Sequence, residues 1–164
     1  MELVMVSACL LGSPVRYDGG HKHLESAILQ RWLTEGRVVP VCPETAGGLP
    51  VPRLPAEIAG GAGGIQVLAG TAEVLDAEGR NVTTAFIAGA EQTLREAQRQ
   101  SIRVAVLKEG SPSCGSEYIY DGTFTGKRVP GRGVTAALLE KAGIRVFSET
   151  RFAEADEYLC AFDE

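Results

Sequence analysis

Three cysteines stand where short β-branched apolar runs give out: Cys9 after Val4-Met5-Val6-Ser7-Ala8, Cys42 after Val38-Val39-Pro40-Val41, and Cys114 in the loop beyond Val104-Ala105-Val106-Leu107. Runs of this kind, bounded by Gly and Pro, read as buried parallel strands, and in an open α/β sheet the loops at the carboxyl ends of the strands share one crevice. Thiols far apart in sequence can therefore meet. Three sulfurs cannot all pair as disulfides, and they are one ligand short of a closed all-cysteine metal site, so an assembled centre would keep a coordination position open, as catalytic metal sites do. The alternative is that Cys9 and Cys42 are small residues packed at strand ends, since cysteine is among the most buried residue types. Position alone leaves both readings open.

The loops that carry the thiols bring other reactive groups. Glu44 follows Cys42 by two residues. A carboxylate near a poorly solvated centre can be raised in pKa enough to trade protons, which makes Glu44 the acid/base candidate, although a loop glutamate also commonly caps a turn or pairs with a cation such as Arg53. The segment Lys108-Glu109-Gly110-Ser111-Pro112-Ser113-Cys114-Gly115 offers two hydroxyls, a thiol and backbone N–H groups that the glycines free to point at an anion. No histidine lies nearby in sequence, which argues against Ser111 or Ser113 as a triad nucleophile. In the first loop Arg16 and Tyr17 are read as facing a ligand, with Asp18-Gly19-Gly20 building a turn. His21 and His23 have neither an i,i+4 partner nor a third histidine, so a zinc site of the H-x-x-x-H type is not supported, and both are expected to be exposed. Cys160, among Tyr158, Leu159 and Phe162, is expected to pack in the core.

Charge narrows the partners. A net charge of −5 argues against a nucleic-acid polymer, whose binding rests on clustered Lys and Arg neutralising several phosphates. Yet Arg16, Arg53, Lys108, Lys127, Arg128 and Arg132 lie around the cysteine loops, while acidic residues gather in 73–78 and 149–164. A basic mouth on an acidic body suits a small anionic ligand. With 45% apolar residues in 164 and no apolar stretch approaching ~20 residues, one soluble domain over 1–164 is expected, without a membrane segment. Glu2-Leu3-Val4 has no basic flank or cleavage site of a secretory signal, and a reducing cytoplasm is the expected compartment.

These groups need a scaffold, and the pattern predicts a three-layer, Rossmann-like α/β fold with a parallel sheet and a small inserted β-hairpin. Leu24, Ile28, Leu29, Trp32 and Leu33 recur at helical spacing before Gly36, which predicts a helix over 24–35 and a βαβ unit. Ile65–Leu68 and Ala72–Asp76 read as the hairpin, with a turn at Ala77-Glu78-Gly79, and Thr83 or Thr84 as the cap of the next helix. A third core strand over 102–107, a helix over 133–141 stopped by Gly143, a fourth strand over 144–147 and a closing helix over 152–162 complete the order, with 50–64 as a loop. Right-handed crossovers place the carboxyl ends of all four strands on one rim.

Five blocks in order carry a resemblance: Ala8-Cys9-Leu10-Leu11-Gly12; Val15-Arg16-Tyr17-Asp18-Gly19; Val41-Cys42-Pro43-Glu44 with Gly47-Gly48-Leu49-Pro50-Val51-Pro52-Arg53; Lys108 to Gly115; and Gly126-Lys127-Arg128 through Gly133-Val134-Thr135-Ala136. Over nearly its whole length the chain resembles the thiouracil desulfidase family. The resemblance implies a non-redox desulfidase in which Cys9, Cys42 and Cys114 hold a 4Fe-4S cluster whose fourth iron binds the sulfur of a thiolated pyrimidine. It places the acid/base glutamate on Glu44 and the catalytic serine on Ser111, with Ser113 as the alternative. Arg16, Tyr17, Ser113, Lys127 and Arg132 are assigned to the substrate, which is a thiolated base or nucleotide. A homodimer is left open. Two other classes use the same thiols: a cluster-bearing sensor or sulfur carrier without catalysis, and a cluster-free module that binds small anions.

Overall fold

The computed structural model describes residues 1–12 and 26–163. Arg16, Tyr17, His21, His23 and Leu24 lie outside the described residues. In chain order the elements are β1 (Val4–Ser7), α1 (Ala27–Thr34), β2 (Val38–Val41), α2 (Pro43–Ala46), β3 (Ala56–Ile58), α3 (Gly64–Leu68), β4 (Val74–Asp76), α4 (Thr83–Arg99), β5 (Val104–Leu107), β6 (Tyr118–Tyr120), β7 (Arg128–Pro130), α5 (Val134–Lys141), β8 (Arg145–Ser148) and α6 (Phe152–Asp163).

The four β-branched runs form one parallel sheet in the order β2-β1-β5-β8. Its middle strands β1 and β5 are buried along their whole length, as strands covered by helices on both faces must be. Side chains alternate across the sheet, and the pleat sorts them into two layers of core. Val4, Val6, Val104 and Val106 pack with Leu29 and Trp32 of α1 and with Phe152 and Leu159 of α6. Met5, Ala105, Leu107 and Val146 meet Ala97 of α4 and Ala136 and Leu139 of α5 on the other face. The expected three layers are present.

Local chemistry sets the ends of the elements. Ser26 caps α1 by accepting from Leu29 N, and Gly36, at φ 71°, turns the chain toward β2. β2 is an outer strand, and it contains Pro40. Because Val4 N donates to the Arg37 carbonyl just before β2, the alternation of a parallel ladder turns the Pro40 nitrogen outward, where proline's missing N–H removes no ladder bond.

The inserted ribbon differs from the pattern's expectation. Val74–Asp76 pairs antiparallel with Ala56–Ile58, which lies inside the stretch read as loop, and Ile65–Leu68 belongs to the short helix α3. A four-residue apolar run is compatible with either state, and here the surroundings decide. Gln66 Oε1 accepts from Gly63 N at 3.0 Å, Val67 is buried and Ile65 is exposed. The turn at 77–79 forms as read: Asp76 Oδ1 accepts from Glu78 N and Arg80 N, and Leu75 bridges to Asn81. Thr83 does not cap α4 with its side chain. Its hydroxyl instead accepts from Val74 N at 2.9 Å, and Asn81 Oδ1 receives Thr83 N. Tyr118-Ile119-Tyr120-Asp121-Gly122 reads in sequence as a turn region, but Tyr118–Tyr120 pairs with Arg128–Pro130 in a second antiparallel ribbon, β6 with β7. Cys160 is exposed on α6 rather than packed. Among the described residues no helix is long and apolar enough to cross a membrane.

Candidate active site

Each thiol is delivered by the loop that follows a sheet strand. After β1 the chain makes a tight turn over Ala8–Leu11 that carries Cys9 and is closed by Gly12 at φ 95°. After β2, Cys42 stands at the N-cap of α2, with Pro43 inside the helix start and Glu44 in its first turn. After β5 comes Lys108–Cys114, tied to the end of β1 by Lys108 N donating to Ser7 Oγ at 2.9 Å. The chain leaves β1 toward β2 on one side and reaches β5 on the other, so the sheet order reverses between β1 and β5. Open α/β sheets bind their ligands at such a switch point.

Cys9, Cys42 and Cys114 all line one cavity of about 600 Å³, together with Glu44, Arg53, Lys108 and Ser111. Cys9 and Cys114 are buried, Cys42 is half-buried, and all three stand as thiols rather than disulfides. Among the described residues no group of three or more His, Cys, Asp or Glu is drawn together so as to hold a single metal ion. Burial pushes the Cys114 thiol well above its ordinary range, and the Glu44 carboxylate and the Cys42 and Cys9 thiols push the same way. Ionising such a thiol calls for positive charge in the cavity, which a metal centre brings.

Glu44 and Ser111 meet across 67 residues of sequence, with Ser111 Oγ donating to Glu44 Oε2 at 3.1 Å. The same hydroxyl oxygen accepts from Ser113 N at 3.0 Å and from Cys114 N at 3.2 Å, so its proton is left to point at the carboxylate. Arg53 takes the other oxygen: Nε and Nη2 reach Glu44 Oε1 at 3.3 and 3.1 Å. Glu44 therefore pairs with Arg53, the ordinary fate of a loop glutamate, and faces the cavity as well.

The remaining residues assigned from the sequence divide. Ser113 does not line the cavity; it is buried, and its hydroxyl shares a 2.7 Å hydrogen bond with Thr135 at the start of α5. Lys127 and Arg132 are exposed and are not among the residues lining the cavity. Arg16 and Tyr17 lie outside the described residues.

The far wall was not read from the sequence. Tyr118, Tyr120, Phe124, Gly126 and Arg128 of the β6–β7 ribbon line the cavity, and the Arg128 guanidinium lies 4.2 Å from the Tyr118 ring centroid. One signal for it was present: Tyr118-Ile119-Tyr120 alternates, which sends Ile119 into the core and both tyrosines to the other face. The buried Glu109 carboxylate accepts from Ser116 N, Ser116 Oγ, Glu117 N and Tyr118 N, and so folds the loop that starts the ribbon. Glu149 in turn accepts from Glu109 N and pairs with Lys108 at 3.4 Å.

Known proteins resemble this arrangement at high identity. A solved structure described as the 4Fe-4S-dependent thiouracil desulfidase TudS aligns with a TM-score of 0.89 at 47% identity, covering 98% of this chain and 99% of that one. The chain is also 48% identical over 147 residues to the Bacillus subtilis (strain 168) protein YbbK, described as uncharacterized, across 90% of this chain and 95% of that protein. A family model described as 2-thiouracil desulfurase matches residues 4–151, a span that includes all four strands of the parallel sheet and every loop bordering the cavity, and the chain belongs to the 2-thiouracil desulfurase family.

Proposed function

We propose that this chain is a non-redox desulfidase: it replaces the sulfur of a thiolated pyrimidine (2-thiouracil, 4-thiouracil or a thiouridine monophosphate) with oxygen from water and releases hydrosulfide. The observation that carries the reading is the convergence of three thiols with the Glu44–Ser111 pair on one cavity.

The residues fit a 4Fe-4S cluster held by Cys9, Cys42 and Cys114. All three donors are soft thiols bordering one cavity, and a fourth cysteine ligand is not at hand, Cys160 being exposed on α6. When bound, a cluster with one iron lacking a protein ligand supplies a Lewis acid that draws electron density from a thiocarbonyl carbon. Everything else falls to the chain. Glu44 takes the proton of a water as the water oxygen bonds to the ring carbon. Ser111, held by two backbone N–H groups, donates to Glu44 Oε2 and keeps that oxygen directed at the water. The carbon–sulfur bond then breaks with its electron pair on sulfur, the proton held by Glu44 passes to that sulfur so that hydrosulfide leaves, and the remaining hydroxyl proton is lost to solvent as the ring becomes the oxo form. Oxidation states do not change, so no external electron carrier is required. A reducing cytoplasm suits the thiols.

The test is anaerobic purification with iron and sulfide analysis, followed by hydrosulfide release from 2-thiouracil. Glu44→Gln should keep its iron and lose on the order of 10²- to 10⁴-fold in kcat, the usual range for removing a general acid or base. Full turnover in Glu44→Gln rejects the role of Glu44. Iron without hydrosulfide release points to a sensor or sulfur carrier instead, and protein that takes up no iron to a cluster-free anion site.

A further inference from the structure

The two oxygens of Glu44 are held unequally. Oε1 receives two nitrogens of Arg53, whereas Oε2 receives the Ser111 hydroxyl. The third nitrogen of the guanidinium, Nη1, donates to the Pro50 carbonyl at 3.0 Å, which fixes the fork to the turn leading out of α2. The Arg53 side chain is only 7% exposed and that of Glu44 18%, so the pair is largely shielded from competing water. It also stands at a boundary. Glu44, Arg53 and Ala56 line the thiol cavity and, equally, a second cavity of about 700 Å³ bounded by Leu49, Val82 and Phe86.

We infer that Arg53 is the positioning residue of the reaction: by taking one carboxylate oxygen with two donors it stops Glu44 from turning and commits the other oxygen to Ser111 and the substrate side. This rests on the desulfidase reading above. The terminal torsion of glutamate is broad, so an unclamped carboxylate samples many orientations. Proton transfer needs an oxygen within hydrogen-bond reach of the water, and a misplacement of about 1 Å costs about 10²-fold in rate. The planar guanidinium is suited to this because two of its donors converge on one oxygen while the third anchors elsewhere; a lysine ammonium is a single point charge. Arg53 touches no substrate in this account and acts through Glu44.

The experiment compares the parent with Arg53→Ala and Arg53→Lys, all purified anaerobically and assayed for iron content, thermal unfolding, and kcat and KM for hydrosulfide release from 2-thiouracil. Arg53→Ala should hold its iron and keep KM within about threefold, while kcat falls on the order of 10²-fold. Added guanidinium, at millimolar concentration, should restore part of that kcat by occupying the vacated space beside the second cavity, and should do nothing for Glu44→Gln. If Arg53→Ala does not stay folded, Arg53→Lys carries the test: kcat should fall roughly tenfold at unchanged iron and KM. Parent-level kcat in an iron-loaded Arg53 variant overturns the inference, and so does a loss confined to KM or proportional to lost iron. A parent protein that holds iron and releases no hydrosulfide defeats the functional reading instead.

Discussion

At the scale of single residues, what the sequence disclosed was adjacency to strand ends. Cys9, Cys42, Glu44 and Ser111 were legible because each follows a recognisable apolar run closely enough for the topology to deliver it to the rim. Lys127 and Arg128 show where that kind of reading stops. They are neighbours, but successive side chains at a strand point to opposite faces, and it is Arg128 that reaches the cavity wall. Ser111 and Ser113 also part company, in the turn after β5, one lining the cavity and the other buried against Thr135, and the difference predicts distinct outcomes. Ser111→Ala removes the hydroxyl that links Glu44 to two backbone N–H groups, so kcat should fall on the order of 10²-fold with some loss of stability. Ser113→Ala strands the buried Thr135 hydroxyl and should cost about 1–2 kcal/mol in a urea titration while turnover of the folded protein stays within about threefold of the parent. Equal kinetic losses in the two variants would refute the separation.

At the scale of elements, Glu44 is placed by the contact between α2 and α4. A Cβ on Gly47 would lie 2.0 Å from the Ala85 carbonyl oxygen, and one on Gly89 would lie 1.9 Å from that of Pro43, so two glycines allow the helices to touch backbone to backbone. Gly89→Ala should therefore drive α2 off α4, destabilising the protein by about 1–3 kcal/mol in thermal or denaturant unfolding and lowering kcat of what remains folded. Parent-like stability would mean that the helices yield without cost. This contact was not legible in sequence, because a glycine inside a helical run signals only weak helix propensity, not which backbone approaches it. The helix α3 was misread for a related reason. Gly64 lies so close to Gly133 that a Cβ there would be 2.3 Å from its carbonyl oxygen, a tertiary fact that no local pattern encodes.

For the molecule as a whole, β-branched runs alternating with amphipathic helices made the parallel sheet and its rim predictable. The ribbon that forms the far side of the cavity was not, since its strands are three residues long and its shape depends on the Glu109 carboxylate folding the preceding loop. The two helices on one face of the sheet are joined by Asp156 of α6, which accepts from Trp32 Nε1 at 3.0 Å and from Arg31, both on α1. Burial pushes the Asp156 carboxyl up, but the hydrogen bonds from Arg31 and Trp32 outweigh it and hold it below the ordinary 3.8. A depressed folded-state value means stability that is present above the ordinary carboxylate pKa and lost as pH falls through the folded one. The stability advantage of the parent over Asp156→Asn should thus be largest near neutrality and shrink as pH falls below the ordinary carboxylate value, as read from urea midpoints. A constant difference would deny the linkage. Occupancy of the thiol cavity should act on the same global equilibrium. A centre gripped by loops from three strands binds the folded chain alone, and its removal by chelation or oxidation should lower the thermal midpoint by several degrees.

Pro40 has a bearing on how copies of this molecule meet one another. Its nitrogen faces away from β1 on a strand four residues long, so an extended segment from another molecule laid along that flank would lose a main-chain bond midway through the register. Runaway stacking through that side is discouraged at the level of covalent structure. Replacing Pro40 by an ordinary β-former such as valine would restore the donor and leave the flank open to aggregation.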